Sequence, residues 1–251
     1  MRRLRSVLYD VPVPDATDGM RNFWDAAASA NAAWYVDTSI SYDAPDMDAF
    51  WATGRLVATT AMSGPVTPAS RGLAVEIGPG LGRILRSLVR DHGFARAAGV
   101  DISQEMVRQA RELAADDPIT FEVGSGASLA PIEDSSADLV VSFTVFQHIP
   151  KVAVIEQYIG EAARVLRPSG VLAFQWNNLP GQRRWAAKRL LLGLLQRSGI
   201  KPERFQRNAP QFLGSRVSLR RITRAVERAG LTMVGTSDDG TLFAWAWATK
   251  T

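Results

Sequence analysis

Val75-Glu76-Ile77-Gly78-Pro79-Gly80-Leu81-Gly82-Arg83 decides how this chain is read. An apolar run from Leu73 to Ile77 leads directly into three glycines at alternate positions, and a helix-period stretch follows. Glycines at such a bend let the backbone approach a ligand closely and leave the first N–H groups of the next helix facing a negative group. Nineteen residues further on, Asp101 closes a second apolar run. A carboxylate at the tip of a neighbouring strand can accept hydrogen bonds from both hydroxyls of a ribose, each charge-assisted bond contributing ~1.5–3 kcal/mol. Turn and acid together describe a nucleoside site.

Outward from this stretch, short apolar runs alternate with helix-period segments, the pattern of βα units around a mainly parallel sheet. Strands are expected at Leu73–Ile77, Ala97–Asp101, Ile119–Val123, Asp138–Phe143 and Val171–Trp176. Ser103 can cap a helix that runs to about Ala115, and Lys151 to Leu166 repeats apolar residues at three- and four-residue spacing until Pro168 and Gly170. Ser218 caps a last helix ended by Gly230; strands from Leu231 and from Thr241 to Ala248 then flank Asp238-Asp239-Gly240 and should pair antiparallel. In the final strand Phe243, Trp245 and Trp247 fall on one face and Leu242, Ala244, Ala246 and Ala248 on the other, so both faces look buried and that strand is expected inside the sheet.

Two segments stand outside the alternation. Residues 1–70 carry helical patterns around Met20–Ala33 and Met47–Met62 and read as a helical cover ahead of a domain at 71–251. A basic insertion at about 180–214 reads as a lid. Gly181 to Arg228 holds 13 Lys plus Arg against Glu203 and Glu227, a local +11 in a chain of net +4, which points to an anionic partner or to a solvated arginine-rich face.

With 251 residues, 46% hydrophobic and 22% charged, the chain is a folded globular protein, and its composition excludes wholesale disorder, collagen and simple coiled coil. The absence of cysteine removes disulfides, thiolate metal sites and cysteine nucleophiles. The basic start Met1-Arg2-Arg3-Leu4-Arg5 is not followed by enough apolar sequence for a leader, and the longest apolar run, Leu190–Leu195, is far shorter than the roughly 20 residues of a membrane span. The expected location is the cytoplasm, with no transmembrane segment and no metal.

Spacing separates two cofactor classes. A dinucleotide fingerprint places a third glycine where this chain has the bulky Arg83. Glu76-x-Gly78-x-Gly80-x-Gly82, Asp101, Gly124 and Arg164-Val165-Leu166-Arg167-Pro168-Ser169-Gly170 instead resemble the class I S-adenosylmethionine-dependent methyltransferases over Leu73 to about Trp176. The resemblance implies a Rossmann-like, seven-stranded, mostly parallel α/β sheet with an antiparallel C-terminal hairpin and helices on both faces. It implies S-adenosyl-L-methionine as cofactor, with Glu76, Gly78, Gly80 and Gly82 at the methionine end, Asp101 on the ribose, and Ile102 and Met106 beside the nucleoside. Gly124, Ser125 and Gly126 match the loop after the third strand, where many members carry an acid for the adenine amino group; the Ser125 hydroxyl would accept more weakly. Phe143 to His148 matches the turn that faces the transferred methyl.

In-line methyl transfer asks chiefly for alignment, so a general base is optional. His148 is the candidate base, with a loop-anchoring role as the alternative; His92 reads as a surface residue. Trp24, Trp34 and Tyr35 can cover the cofactor or pack the core, and Asp25 and Asp37 read as caps or second-choice bases. The acceptor expected is a small molecule, sugar-, polyketide-, lipid- or quinone-like, anionic or amphiphilic, methylated on O or N. Cytosine C5 chemistry lacks its cysteine, and Ser142-Phe143-Thr144-Val145 is not the Asn/Asp-Pro-Pro-aromatic turn of base amine methylation, so nucleic acid is disfavoured. The competing readings are a nicotinamide-dependent oxidoreductase and a non-catalytic S-adenosylmethionine-binding protein.

Overall fold

A computed structural model describes residues 16–197 and 214–251. Its centre is one seven-stranded sheet in the order β3-β2-β1-β4-β5-β7-β6. In chain order the elements are α1 (Ala16–Val36), α2 (Met47–Met62), β1 (Leu73–Ile77), α3 (Arg83–Arg90), β2 (Arg96–Asp101), α4 (Gln104–Leu113), β3 (Ile119–Val123), β4 (Ala137–Ser142), α5 (Val152–Val165), β5 (Leu166–Trp176), α6 (Gln182–Arg197), α7 (Leu219–Arg228), β6 (Leu231–Ser237) and β7 (Ala244–Lys250). Strands β1 to β5 pair in parallel, while β7 runs antiparallel between β5 and β6. The strand order reverses between β1 and β4, and at their carboxyl ends such sheets form a ligand crevice.

The apolar runs are buried because helices cover both sides. On one face, Val75, Ile77, Val140, Leu172, Phe174 and the alanines of β7 meet Ile155, Ile159 and Ala162 of α5 and Ile222 and Val226 of α7. On the other, Ala74, Leu139, Val141, Trp245 and Trp247 meet α2, α3 and α4 through Val57, Ala61, Leu85, Leu88 and Val107. A third cluster joins Ala28, Ala32, Tyr35 and Phe50 of the first two helices to Leu81 and Met106. The helices ahead of β1 are thereby seated on the glycine turn and on α4.

Local signals explain most boundaries. Ser103 accepts from the Met106 N–H and caps α4, and Asp46 accepts from the Asp48 and Ala49 N–H groups at the start of α2. Asn31 interrupts α1 with an extended backbone; its side-chain oxygen accepts from Trp34 N–H and its amide donates to Tyr42 O, recapping the last turn. Asp138 clamps β4 to the start of β1 by accepting from Gly72 and Leu73 N–H (2.7 and 2.9 Å) and from Ser70.

Several expected boundaries move, by one residue at the starts of β2 (Arg96) and β4 (Ala137) and by two at the end of β7 (Lys250). Strand β5 begins at Leu166 rather than Val171, because Leu166 already pairs with Ala137 before an irregularity in the register. Strand β4 ends at Ser142, one residue short of Phe143. Strand β7 begins at Ala244 rather than Thr241, because Thr241 folds back, its N–H and hydroxyl both donating to Asp238 O. Of the basic insertion, 182–197 form α6 and 198–213 lie outside the described residues. No helix among the described residues is long and apolar enough to cross a membrane.

Candidate functional site

The cleft opens where β1 turns into α3. Gly78 and Gly80 have φ of +66° and +54°, a region L side chains rarely adopt. Space forbids side chains as well: a Cβ on Gly78 would lie 2.5 Å from Val145 Cγ2, and one on Gly80 would lie 2.4 Å from Val36 Cγ2. Gly82 faces away, where a Cβ would meet the Phe121 ring at 2.6 Å. It provides the close helix–strand approach that a dinucleotide fingerprint assigns to its third glycine, one position earlier than that fingerprint requires.

Two carboxylates at the tips of adjacent strands face this turn. Asp101, buried at the end of β2, accepts from Gly80 N–H (3.0 Å) and Ser103 N–H (2.9 Å), which fixes the bend and the start of α4. Burial raises its pKa against those hydrogen bonds. Glu76 is only 2% exposed and its Oε2 has no hydrogen-bond partner. Burial pushes its carboxyl up to about 8; the Arg83 guanidinium opposes the shift and Asp101 adds to it. Such a group is a strong site for an arriving cation.

Met20 and Trp24 of α1, Tyr35, Met106, Gly126 and Tyr158 complete the cleft, with Ile102 beside Asp101. It is narrow, about 90 Å³, and α1 leans over it. Arg21 reaches across to the carbonyls of Ile102 (3.4 Å) and Gly124 (3.5 Å), while Asp25 accepts from the Ser103 hydroxyl (2.6 Å) and Glu105 N–H (3.2 Å). Asp25 is thus a capping residue for α4, supplied from another helix. Burial and the nearby Asp101 push the Tyr158 phenol upward.

A second cavity of about 600 Å³ adjoins the first, sharing Tyr35, Val36, Arg83, Phe143, Thr144 and His148. Its far wall is Gln147, Asn177, Trp185 and Arg216. Phe143 stacks on Trp245 with ring centroids 5.5 Å apart, and His148 meets the Trp24 ring edge-on at 5.4 Å. Thr144 has φ of +61°, an uncommon backbone for a β-branched residue. Its N–H donates to Gln175 Oε1 (2.9 Å), and the Gln175 amide donates in turn to Gln147 Oε1 (3.2 Å) and Leu242 O (2.5 Å), so a side chain from β5 holds the loop after β4 in shape.

Of the residues expected from sequence, Tyr35, Glu76, Gly78, Gly80, Asp101, Ile102, Met106, Gly126, Phe143 and His148 meet around the first cleft. Gly82, Gly124 and Ser125 are not in its lining: Gly82 packs on Phe121, Gly124 is buried with its carbonyl turned to Arg21, and Ser125 is exposed. Trp24 lines the cleft, whereas Trp34 packs on Tyr35 and Tyr42. Asp37 borders the second cavity, and His92 lies outside both, near Thr59. Sequence reasoning missed Tyr158, Gln175 and the inward course of Arg83. Only Arg83 left a local signal, a cation at the positive end of a helix, where the dipole disfavours it.

Residues 75–174 match the family described as methyltransferase domain. An uncharacterized 37.1 kDa protein in a transposon of Streptomyces fradiae is 31% identical over 185 residues, 71% of this chain and 45% of its own length. Trans-aconitate 2-methyltransferase of Azoarcus sp. is 36% identical over 102 residues, 40% of this chain and 37% of that protein. The chain therefore spans less than half the length of these curated relatives. Among solved structures, magnesium protoporphyrin IX methyltransferase from Synechocystis, with bound SAH, superposes with a TM-score of 0.59 at 18% identity, covering 94% of this chain and 100% of that one.

Proposed function

We propose that the chain, whose residues 75–174 match the methyltransferase-domain family, is a class I S-adenosylmethionine-dependent methyltransferase that transfers the methyl group of S-adenosylmethionine to an O or N atom of a small-molecule acceptor. The observation that carries this reading is the pair of buried carboxylates, Glu76 and Asp101, facing one glycine turn in one cleft.

The residues present fit the cofactor. An orphaned, buried Glu76 oxygen suits a ligand ammonium, and the Gly78–Gly80 bend brings bare backbone to the cleft wall. Asp101 retains acceptor capacity for ribose hydroxyls beyond the two N–H groups it now holds. Ile102, Met106 and Gly126 offer apolar walls for a base. When bound, the cofactor supplies an activated methyl and its leaving group. The protein's share is alignment, which can contribute ~7–11 kcal/mol, whereas a general base adds typically 10²–10⁴-fold.

Around the junction of the two cavities, Phe143 and the loop pinned by Gln175 shape the space beside the transferred methyl. His148 borders both cavities and is the residue positioned to take a proton at a ring nitrogen from an acceptor that carries one. In this reading residues 1–70 are the cover and 71–251 the catalytic domain, with the insertion at about 180–214 walling the acceptor side through Trp185. Titration calorimetry with S-adenosylmethionine and with NAD(P) tests the cofactor, and preference for the nicotinamide nucleotide refutes it. A panel of small acceptors scored by S-adenosylhomocysteine formation tests the reaction.

A further inference from the structure

Arg83 is the group that the proposed chemistry does not use. Only 4% of its side chain is exposed, yet it lines both cavities. A buried charge is tolerated only when it is paired and hydrogen-bonded. Arg83 falls short of that: one nitrogen donates to Thr53 Oγ1 at 3.1 Å, Asp37 Oδ2 stands 4.0 Å away, beyond hydrogen-bond reach, and Nε has no acceptor. The rings of Phe50 and Phe143 hold the guanidinium, at 5.9 and 5.7 Å to their centroids. Its place in the first turn of α3 adds the unfavourable end of the helix dipole. A second guanidinium borders the wider cavity: Arg216 lies 4.1 Å above the Trp185 ring and donates to Pro180 O, and its Nε is likewise buried without an acceptor.

We propose that the acceptor is a carboxylic acid, and that Arg83 receives its carboxylate where the two cavities meet. The inference rests on the methyltransferase reading and deepens it. A planar carboxylate matches the guanidinium fork and supplies the acceptors this side chain lacks. Charge narrows the class of anion: among the described residues lining the wider cavity, Arg83 and Arg216 stand against Asp37, and Glu76 on the cofactor side also acts on Arg83, so little positive charge is left over and a monoanion suits the site better than a phosphate dianion.

The test uses the full chain, saturated with S-adenosylhomocysteine, and three calorimetric probes: hexanoate, hexanamide and hexyl phosphate. Hexanoate should bind at least tenfold more tightly than hexanamide, with or without S-adenosylhomocysteine, and Arg83→Gln should abolish that ratio. Asp37→Asn removes the competing carboxylate without emptying the buried site, and should tighten hexanoate at least threefold. Equal binding of hexanoate and hexanamide, a tenfold preference for hexyl phosphate, or no tightening in Asp37→Asn overturns the proposal. So does an Arg83→Gln variant that loses S-adenosylhomocysteine and keeps hexanoate, which would give Arg83 to the amino-acid end of the cofactor. If S-adenosylhomocysteine fails to bind the unaltered protein, the methyltransferase reading falls instead, and the hexanoate ratio, measurable without it, still judges Arg83.

Discussion

Glu76→Gln separates what the fold prefers from what the ligand requires. In the free protein burial pushes the Glu76 carboxyl up to about 8 from its ordinary 4.5. The folded state then holds a proton that the unfolded chain releases across that window. Since the folded pKa is the higher, stability falls as pH rises from about 4.5 to about 8 and is flat beyond. Each pH unit in the window corresponds to ~1.4 kcal/mol, so the full penalty is roughly 3–6 kcal/mol. Glutamine keeps the shape and carries no charge, so the variant should match the natural protein near pH 5 and exceed it by most of that penalty at pH 8. Urea unfolding followed by circular dichroism at pH 5, 6.5 and 8 measures the difference, in which other titrating groups cancel. The same variant should bind S-adenosylmethionine at least tenfold more weakly, because an amide cannot offset an ammonium charge. A stability difference that stays constant across the three pH values would refute the buried, protonated state of Glu76.

Asp101→Ala should raise the dissociation constant for S-adenosylmethionine at least tenfold in calorimetry, through loss of the ribose acceptor and of the bond that fixes Gly80; an unchanged constant contradicts the pose. His148→Ala should leave cofactor affinity within threefold and lower turnover by ~10²-fold or more for an acceptor that must lose a proton, while a carboxylate acceptor should be far less affected. Gly80→Ala forces a Cβ to within 2.4 Å of Val36 at a left-handed backbone, so thermal melts should show a loss of about 1–3 kcal/mol. For Asp138, burial works against ionisation, but bonds from Ser70, Leu73 and Gly72 together with Arg167 hold the carboxyl below its usual 3.8. Its contribution is therefore present above that pH and lost in acid; Asp138→Asn should cost about 1.5–3 kcal/mol at pH 7 in urea melts, and the gap should close as pH falls below 3.8.

The parts of the molecule visible in its sequence are those governed by neighbours in the chain. Strands β1 and β3 end where apolar runs meet Gly78 and Gly124, and Ser103 caps α4 through a residue three positions away. Alternation misled at Thr241–Phe243, because a hydroxyl returning to Asp238 turns what looks like strand into the end of a turn. At the start of β5, Pro168 and Gly170 stop the helix as expected, but the backbone from Leu166 is already extended beside β4, a pairing no local pattern encodes. The candidate site divides the same way. Glycine turn and Asp101 lie within one βαβ unit. Tyr158 reaches the cleft from α5, Gln175 braces Thr144 from 31 residues away, and Asp25 crosses 78 residues to Ser103, so each depends on the assembled sheet.

That last contact joins parts that a domain boundary drawn at β1 would separate. Because Asp25 closes the first turn of α4, and Ala28 and Phe50 share an apolar cluster with Leu81 and Met106, the leading helices form part of the floor of the cleft as well as its roof. A gene fragment trimmed to begin at Leu73 would bare Leu81 and Met106 to water and leave the Ser103 hydroxyl without its acceptor. Chimeras built to exchange acceptor preference should accordingly move residues 16–62 together with the glycine turn and α4, since a graft that splits them breaks a bond from each side.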